Sequence, residues 1–199
     1  INAMNATYDV AGFIVDPVYG TPGTLVNDRP ILGGFEWLAE HRNEVSVVCG
    51  VGSPELRHRL IARARETGVR FARVIHPRAI TTRWNSLGEG SIITAGCILT
   101  NRIRIGDHVH VNLDCTIGHN AVIEDFVTLA PGVHVSGNVV VEEGCHVGTG
   151  SSIIEKKKIG AWSIIGAGST IVQDVPRNTT VVGVPGKVIK TRPEGWHLS

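Results

Sequence analysis

The chain has 199 residues, with 19 Lys and Arg against 18 Asp and Glu and a formal net charge of +1. That balance gives no electrostatic case for a nucleic-acid partner, and no apolar run has the length of a membrane span or the layout of a signal peptide. The four cysteines, Cys49, Cys97, Cys115 and Cys145, lack Cys-x-x-Cys spacing and read as reduced, mostly buried thiols of a cytoplasmic protein.

Residues 1–76 alternate strand-like and helix-like segments. "INAMNATYDV" at the start reads as the tail of a helix, and "YDVAGFIVD" (8–16) and "VSVVCG" (45–50) read as buried parallel strands. "GGFEWLAEH" (33–41) and "PELRHRLIARARETG" (54–68) read as helices. Ser53 suits the cap of the second helix, Pro54 its first position and Gly68 its end. "RFARVIHP" (70–77) is expected to be one more strand leading onward. This order implies a small Rossmann-like sheet, and its usual opening strand and glycine-rich turn are expected to be missing from the residues given. Gly50-Val51-Gly52-Ser53 joins a strand to a helix. It reads either as an anion or nucleotide site, through free N–H groups at the helix start, or as a tight turn. Asp16 reads either as an acceptor for ribose or base hydrogen bonds or as a turn-initiating residue before Pro17.

From residue 87 the period changes. Leu87, Ile93, Leu99, Ile105, Val111, Ile117, Ile123, Leu129, Val135, Val141, Val147, Ile153, Ile159, Ile165 and Ile171 fall six apart without a gap. The fourth residue after each is Ser, Cys, Ala, Val or Ile, with Lys157 as the exception. Six is neither the 3.6 of a helix nor the 2 of a half-buried strand. It is the hexapeptide repeat of a parallel β-helix, here read as left-handed. Three hexads close one triangular coil of 18 residues, with the aliphatics inside and the small residues near the corners. Each buried aliphatic stabilises the stack by about 1.5–3 kcal/mol before chain ordering is counted. The expected domains are 1–76, Rossmann-like and sugar-nucleotide-binding, and 77–199, the β-helix with its C-terminal tail.

Residues 18 apart stack at the inter-strand spacing of about 4.8 Å. His119 is therefore followed on its own edge by Gly137, whose backbone can approach a ligand closely. Imidazole can take a proton at neutral pH, and a neighbouring N–H can stabilise an oxyanion. That pairing suits acyl transfer, although a solvated surface histidine has the same spacing. His110 and His146 are 36 apart with Thr128 between them. A three-histidine zinc site of the kind built on such prisms needs a third histidine five residues after His146. Ser151 stands there, so no metal is expected.

Five segments carry a resemblance: "GFIVD" (12–16), "GVGSPELRHRL" (50–60), "HP" (76–77), "CTIGHNAVIEDFVTLAPGVHVSGNV" (115–139) and "GAGSTIVQDVPRNTTVVGVPGKVIK" (166–190). On these the chain resembles the sugar O-acyltransferase family typified by sialic acid O-acetyltransferase and the UDP-4-amino-sugar (bacillosamine-pathway) N-acetyltransferases. The resemblance implies acetyl-CoA as donor and a homotrimer with the coenzyme between neighbouring β-helices. It implies His119 as general base and Gly137 as the N–H that meets the thioester oxygen. Gly137, Thr128, Thr149, Ala167 and Lys187 match coenzyme-contacting positions, and Asp16, Gly52 and Glu55 match positions that hold the acceptor's nucleotide.

One departure bears on the base. The position after it often carries Glu or Asp, and here it is Asn120, so Asp114 or Glu124 is expected to supply the carboxylate if one is used. The run Glu155-Lys156-Lys157-Lys158 is either a phosphate contact or a solvated corner. The expected function is acetyl-CoA-dependent N-acetylation of a nucleotide-activated amino sugar. The alternatives are O-acetylation of a sialic-acid-like sugar and a non-catalytic sugar-nucleotide-binding scaffold trimer.

Overall fold

The computed structural model describes residues 8–198. The helix tail expected at the chain start falls on residues 1–7, outside the described residues, and 8–10 are irregular.

Chain order then gives β1 (Phe13–Ile14), β2 (Leu25–Val26), β3 (Arg29–Gly33), α1 (Phe35–Glu40), β4 (Ser46–Val47), α2 (Pro54–Glu66), β5 (Arg70–Phe71) and β6 (Val74–Ile75). Both expected helices form. Ser53 caps α2 by accepting from the Leu56 N–H at 3.1 Å, and Pro54 occupies its first turn. The strands are shorter than expected and lie in two sheets, not one: β1 and β4 pair in parallel with β3 and β5 respectively, and β2 pairs antiparallel with β3. The β2–β3 hairpin was not read from the sequence. Its two loop residues, Asn27 and Asp28, both have positive φ (47° and 62°), the geometry that lets a two-residue loop follow strand twist. The expected strand 70–77 divides, and its second half, β6, already pairs with Ile92–Ile93 of the prism.

The repeat builds three stacked parallel faces. The first holds Ser86–Leu87, Arg104–Ile105, Val122–Ile123, Val140–Val141 and Lys158–Ile159. The second holds β6, Ile92–Ile93, His110–Val111, Thr128–Leu129, His146–Val147 and Ile164–Ile165, and ends in the hairpin Thr179–Val182 and Lys187–Thr191. The third holds Ile98–Leu99, Thr116–Ile117, His134–Val135, Ser152–Ile153 and Thr170–Ile171. The register step along the repeat is 18 residues, as in Thr116 opposite His134, and shortens to 16 only at its end, where Ile164 lies opposite Thr180. The aliphatics from Ile93 to Ile171 are at most 4% exposed and form one continuous core. The small residues of the repeat, Ser91, Cys97, Cys115, Ala121, Cys145, Ser151, Ser163 and Ser169, are also buried. At most corners the residue three past the aliphatic is left-handed, including Asp114, Asn120, Gly132, Asn138 and Gly144, with φ from 57° to 68°.

The N-terminal region packs on the second face through α2. Its small apolar core is Leu38, Ala64 and Val69, with Ile14, Phe35, Trp37, Val45, Val47 and Phe71 around them. The corner between the first and second faces carries three bulky rings, His108, Phe126 and Trp162, at left-handed positions. His108 stacks on Phe126 at 5.3 Å, and His58 of α2 meets Phe126 and Trp162 edge-on at 4.9 and 5.7 Å.

Candidate active site

His119 lies at the corner where the third face turns into the first, exposed to solvent. The 18-residue coil sets its imidazole directly against Gly137. A Cβ placed on Gly137 would sit 2.7 Å from His119 Nε2 and 2.8 Å from Cε1, closer than side chains pack. Gly118 is constrained from the other side, because a Cβ there would fall 2.5 Å from the Gly137 nitrogen. Small residues at both positions thus let an imidazole and a bare amide share one edge.

The Gly137 N–H has no hydrogen-bond partner among the described residues. On the corner between the first and second faces, comparable amides are capped by acidic side chains of an adjacent coil. The Glu89 N–H donates to Asp107 Oδ1 at 2.9 Å, Asp107 N–H to Asp125 Oδ1 at 2.8 Å, and Glu143 N–H to Glu124 Oε2 at 3.1 Å. The His119 edge therefore offers a donor where the neighbouring edge has spent its own.

Asn120 is the side chain that meets the ring: its Oδ1 lies 3.3 Å from His119 Nδ1. An amide oxygen only accepts, so Nδ1 carries the proton and Nε2, on the Gly137 side, keeps its lone pair. Asn120 itself has φ of 61°, and Asn tolerates the left-handed region better than most residues. Its presence thus has a backbone reason as well as a ring to orient. Neither carboxylate expected to serve His119 is placed to do so. Glu124 is bonded to the Glu143 N–H, and Asp114 sits at the corner between the second and third faces, turned onto Gly96.

The remaining expected residues fall into three places. Thr149 and Ala167 stack on the exposed corner between the second and third faces, one corner away from His119. Lys187 begins the exposed last strand. Lys158 is paired with Glu142 at 2.6 Å, which takes one lysine of the 155–158 run out of play for phosphate. Asp16 follows β1. Its Oδ1 accepts from the Val18 N–H at 3.2 Å and its Oδ2 lies 3.7 Å from Arg63, so the turn-initiating reading holds and the carboxylate remains partly open.

Thr128 is a correction. Expected beside the coenzyme, it is buried, and its hydroxyl donates to the Gly52 carbonyl at 2.8 Å while accepting from Arg57 at 2.9 Å. The side chain is committed to the joint between the two parts of the chain. Arg57 was missed altogether. It is fully buried and donates to the carbonyls of His108 (2.9 Å), Val51 (2.7 Å), Gly52 (3.2 Å) and Phe126 (2.6 Å). Burial lowers its pKa to about 10, which leaves it charged at neutral pH. The sequence did carry a signal: Pro54, Arg57, Ile61 and Ala64 form the buried stripe of α2, and a charge inside an apolar stripe needs partners. His110, read as a surface ladder, is buried too. Its Nε2–H donates to the Cys49 carbonyl at 2.9 Å, and burial together with the nearby Arg57 charge holds its pKa down to about 4.

The second face, which carries the N-terminal region, is the one the His119 corner does not border. Asp16, Gly52 and Glu55 therefore stand on one side of the prism and His119 on the other. One chain brings base and amide together but keeps the expected acceptor residues apart from them.

No family model matches the chain, and no curated protein matches it. Solved structures do. A histidine-to-asparagine variant of perosamine N-acetyltransferase from Caulobacter crescentus, in complex with CoA and GDP-perosamine, is 30% identical with a TM-score of 0.81, over 85% of this chain and 81% of that one. The acetyltransferase domain of PglB from Neisseria gonorrhoeae, in complex with acetyl coenzyme A, is 30% identical with a TM-score of 0.83, over 89% and 85%. WeeI from Acinetobacter baumannii is 28% identical with a TM-score of 0.80, over the same shares.

Proposed function

Since the chain belongs to the hexapeptide-repeat sugar acyltransferases, we propose that it transfers the acetyl group of acetyl-CoA to the amino group of a nucleotide-linked amino sugar. The observation that carries this reading is the His119 imidazole against the open Gly137 amide. His119 Nε2 takes the proton of the attacking amine as the new N–C bond forms. The Gly137 N–H donates to the thioester oxygen as charge develops on it. When the C–S bond breaks, His119 returns the proton to the departing sulfur, which gives amide and free thiol. Asn120 holds the ring in the tautomer this needs without supplying charge.

The acceptor's nucleotide is assigned to residues 1–76, as a Rossmann-like unit, through Asp16, Gly52 and Glu55. The coenzyme is assigned to the left-handed prism of 77–199, through Gly137, Thr149, Ala167 and Lys187. Because the acceptor residues and His119 lie on opposite sides of one prism, an acceptor held by one chain reaches the base of another. This supports a homotrimer whose sites lie between subunits. No described helix is long and apolar enough to cross a membrane, and acetyl-CoA and nucleotide sugars are cytoplasmic metabolites, so we place the enzyme in the cytoplasm in glycan biosynthesis.

The test is thiol release from acetyl-CoA against UDP-, GDP- and dTDP-linked amino sugars, each paired with its hydroxyl analogue. Turnover restricted to an amine-bearing member is the expected result. Turnover of a hydroxyl analogue alone, or of no member, would overturn the assignment.

A further inference from the structure

The loop between β4 and α2 is held by its carbonyls. Cys49 O accepts from His110 Nε2 at 2.9 Å, Val51 O from Arg57 Nη1 at 2.7 Å, and Gly52 O from both Arg57 Nη1 at 3.2 Å and Thr128 Oγ1 at 2.8 Å. All three carbonyls face the second face of the prism. In a trans peptide the N–H of the following residue points the opposite way. The amides of Gly50, Gly52 and Ser53 therefore point away from the prism, and none has a hydrogen-bond partner among the described residues. The space beside Gly50 and Gly52 is open, with nothing within 4 Å of a Cβ built on either.

The clamp is costly as a mere anchor. A guanidinium with no exposed surface sits among carbonyls, a hydroxyl and an imidazole, with no carboxylate in hydrogen-bond contact. Burying an ion without a counter-ion is unfavourable, and an apolar residue in the stripe of α2 would seat the helix more cheaply. What an apolar residue could not do is turn two consecutive carbonyls inward.

We propose that Arg57, with Thr128 and His110 of the prism, is a positioning residue for the acceptor. Arg57 draws the Val51 and Gly52 carbonyls inward, and His110 holds that of Cys49, which fixes the outward amides of Gly50, Gly52 and Ser53 where the diphosphate of the nucleotide sugar binds. This rests on the reading that the acceptor's nucleotide lies at Gly52 and Glu55. The prism is thereby both the platform for the base and the template for the acceptor loop.

Thr128→Val keeps the shape of the side chain and removes the hydroxyl, whereas Thr128→Ser keeps the hydroxyl. Thr128→Val should raise the acceptor KM by about three- to tenfold, the effect of one net hydrogen bond. The acetyl-CoA KM should stay within about twofold, and Thr128→Ser should restore the acceptor value. Arg57→Lys, which cannot reproduce the forked contact, should raise the acceptor KM by at least about tenfold with the same selectivity. Calorimetric binding of UDP and GDP to the same variants should follow the acceptor KM. If wild type binds a nucleotide and Thr128→Val binds it equally, the inference is wrong while the acceptor site stands. A fall in kcat alone, or an equal rise in both KM values, makes the clamp purely structural and also overturns it. If wild type binds neither nucleotide and turns over no nucleotide sugar, the acceptor site itself fails and the inference goes with it.

Discussion

Gly137→Ala is the sharpest perturbation of the proposed site, because it leaves both functional groups in place and moves one. The added methyl would lie 2.7, 2.8 and 3.1 Å from His119 Nε2, Cε1 and Cδ2. Ordinary contact begins near 3.4 Å, so the ring must retreat by roughly 0.7 Å, and its 3.3 Å contact with Asn120 Oδ1 has little reach to give. A misplacement of about 1 Å in a reacting group costs on the order of a hundredfold. The N–H of residue 137 is retained, and the position has no left-handed φ to strain an alanine. We therefore expect kcat to fall about 10- to 100-fold at saturating substrates, with Tm within a few degrees of wild type. Thiol release gives kcat, and the cycle with His119→Ala gives the cause. If the methyl acts by displacing the imidazole, it should cost nothing further once the imidazole is gone. A single variant within threefold of wild type, or an equal loss in the His119→Ala background, would refute the reasoning.

His119→Ala should lower turnover at least about 100-fold at unchanged Tm, measured by the same assay. Asn120→Asp should leave the rate unchanged or raise it and move the acid limb of the rate profile to higher pH, because a carboxylate beside imidazole favours its protonated form; an unmoved limb would mean that residue 120 does not touch the base. Lys187→Ala should raise the acetyl-CoA KM and leave the acceptor KM alone, and an unchanged coenzyme KM would remove Lys187 from that role. Stability should fall in acid. His108 and His110 are buried, and their pKa values are held down to about 4, mainly by desolvation. The unfolded chain binds their protons from about pH 6.5 downward while the folded chain resists until about pH 4. Their contribution is present above pH 6.5 and is lost toward pH 4, at about 3 kcal/mol for each. His110→Gln should flatten part of that slope in thermal melts across pH 4–7, and an unaltered slope would exclude His110.

The sequence determined the prism and, with it, the meeting of His119 and Gly137. A β-helix repeats by translation, so each contact is a fixed step along the chain. Counting eighteen from a histidine finds its neighbour without any knowledge of the rest, and the unbroken six-residue period guarantees that the count does not slip. The same arithmetic placed the buried corner residues from Ser91 to Ser169. Asn120 shares its register with Asp114, Gly132, Asn138 and Gly144, but the left-handed backbone common to these corners came from the structure.

Tertiary structure decided everything that joins one part of the chain to the other. Arg57 reaches partners 51 to 71 residues away, and Thr128 reaches Gly52 across 76, with no repeat to carry the count. Which face the N-terminal region covers, and hence that its acceptor residues lie opposite the base, follows from how α2 seats on the rings of His108, Phe126 and Trp162 through His58 and the buried guanidinium. Thr128 shows the difference in one residue. Its place on the second face was readable from the period, but its exposure was not, because what covers a face of the prism is set by surface complementarity between two units and not by the repeat that builds the face.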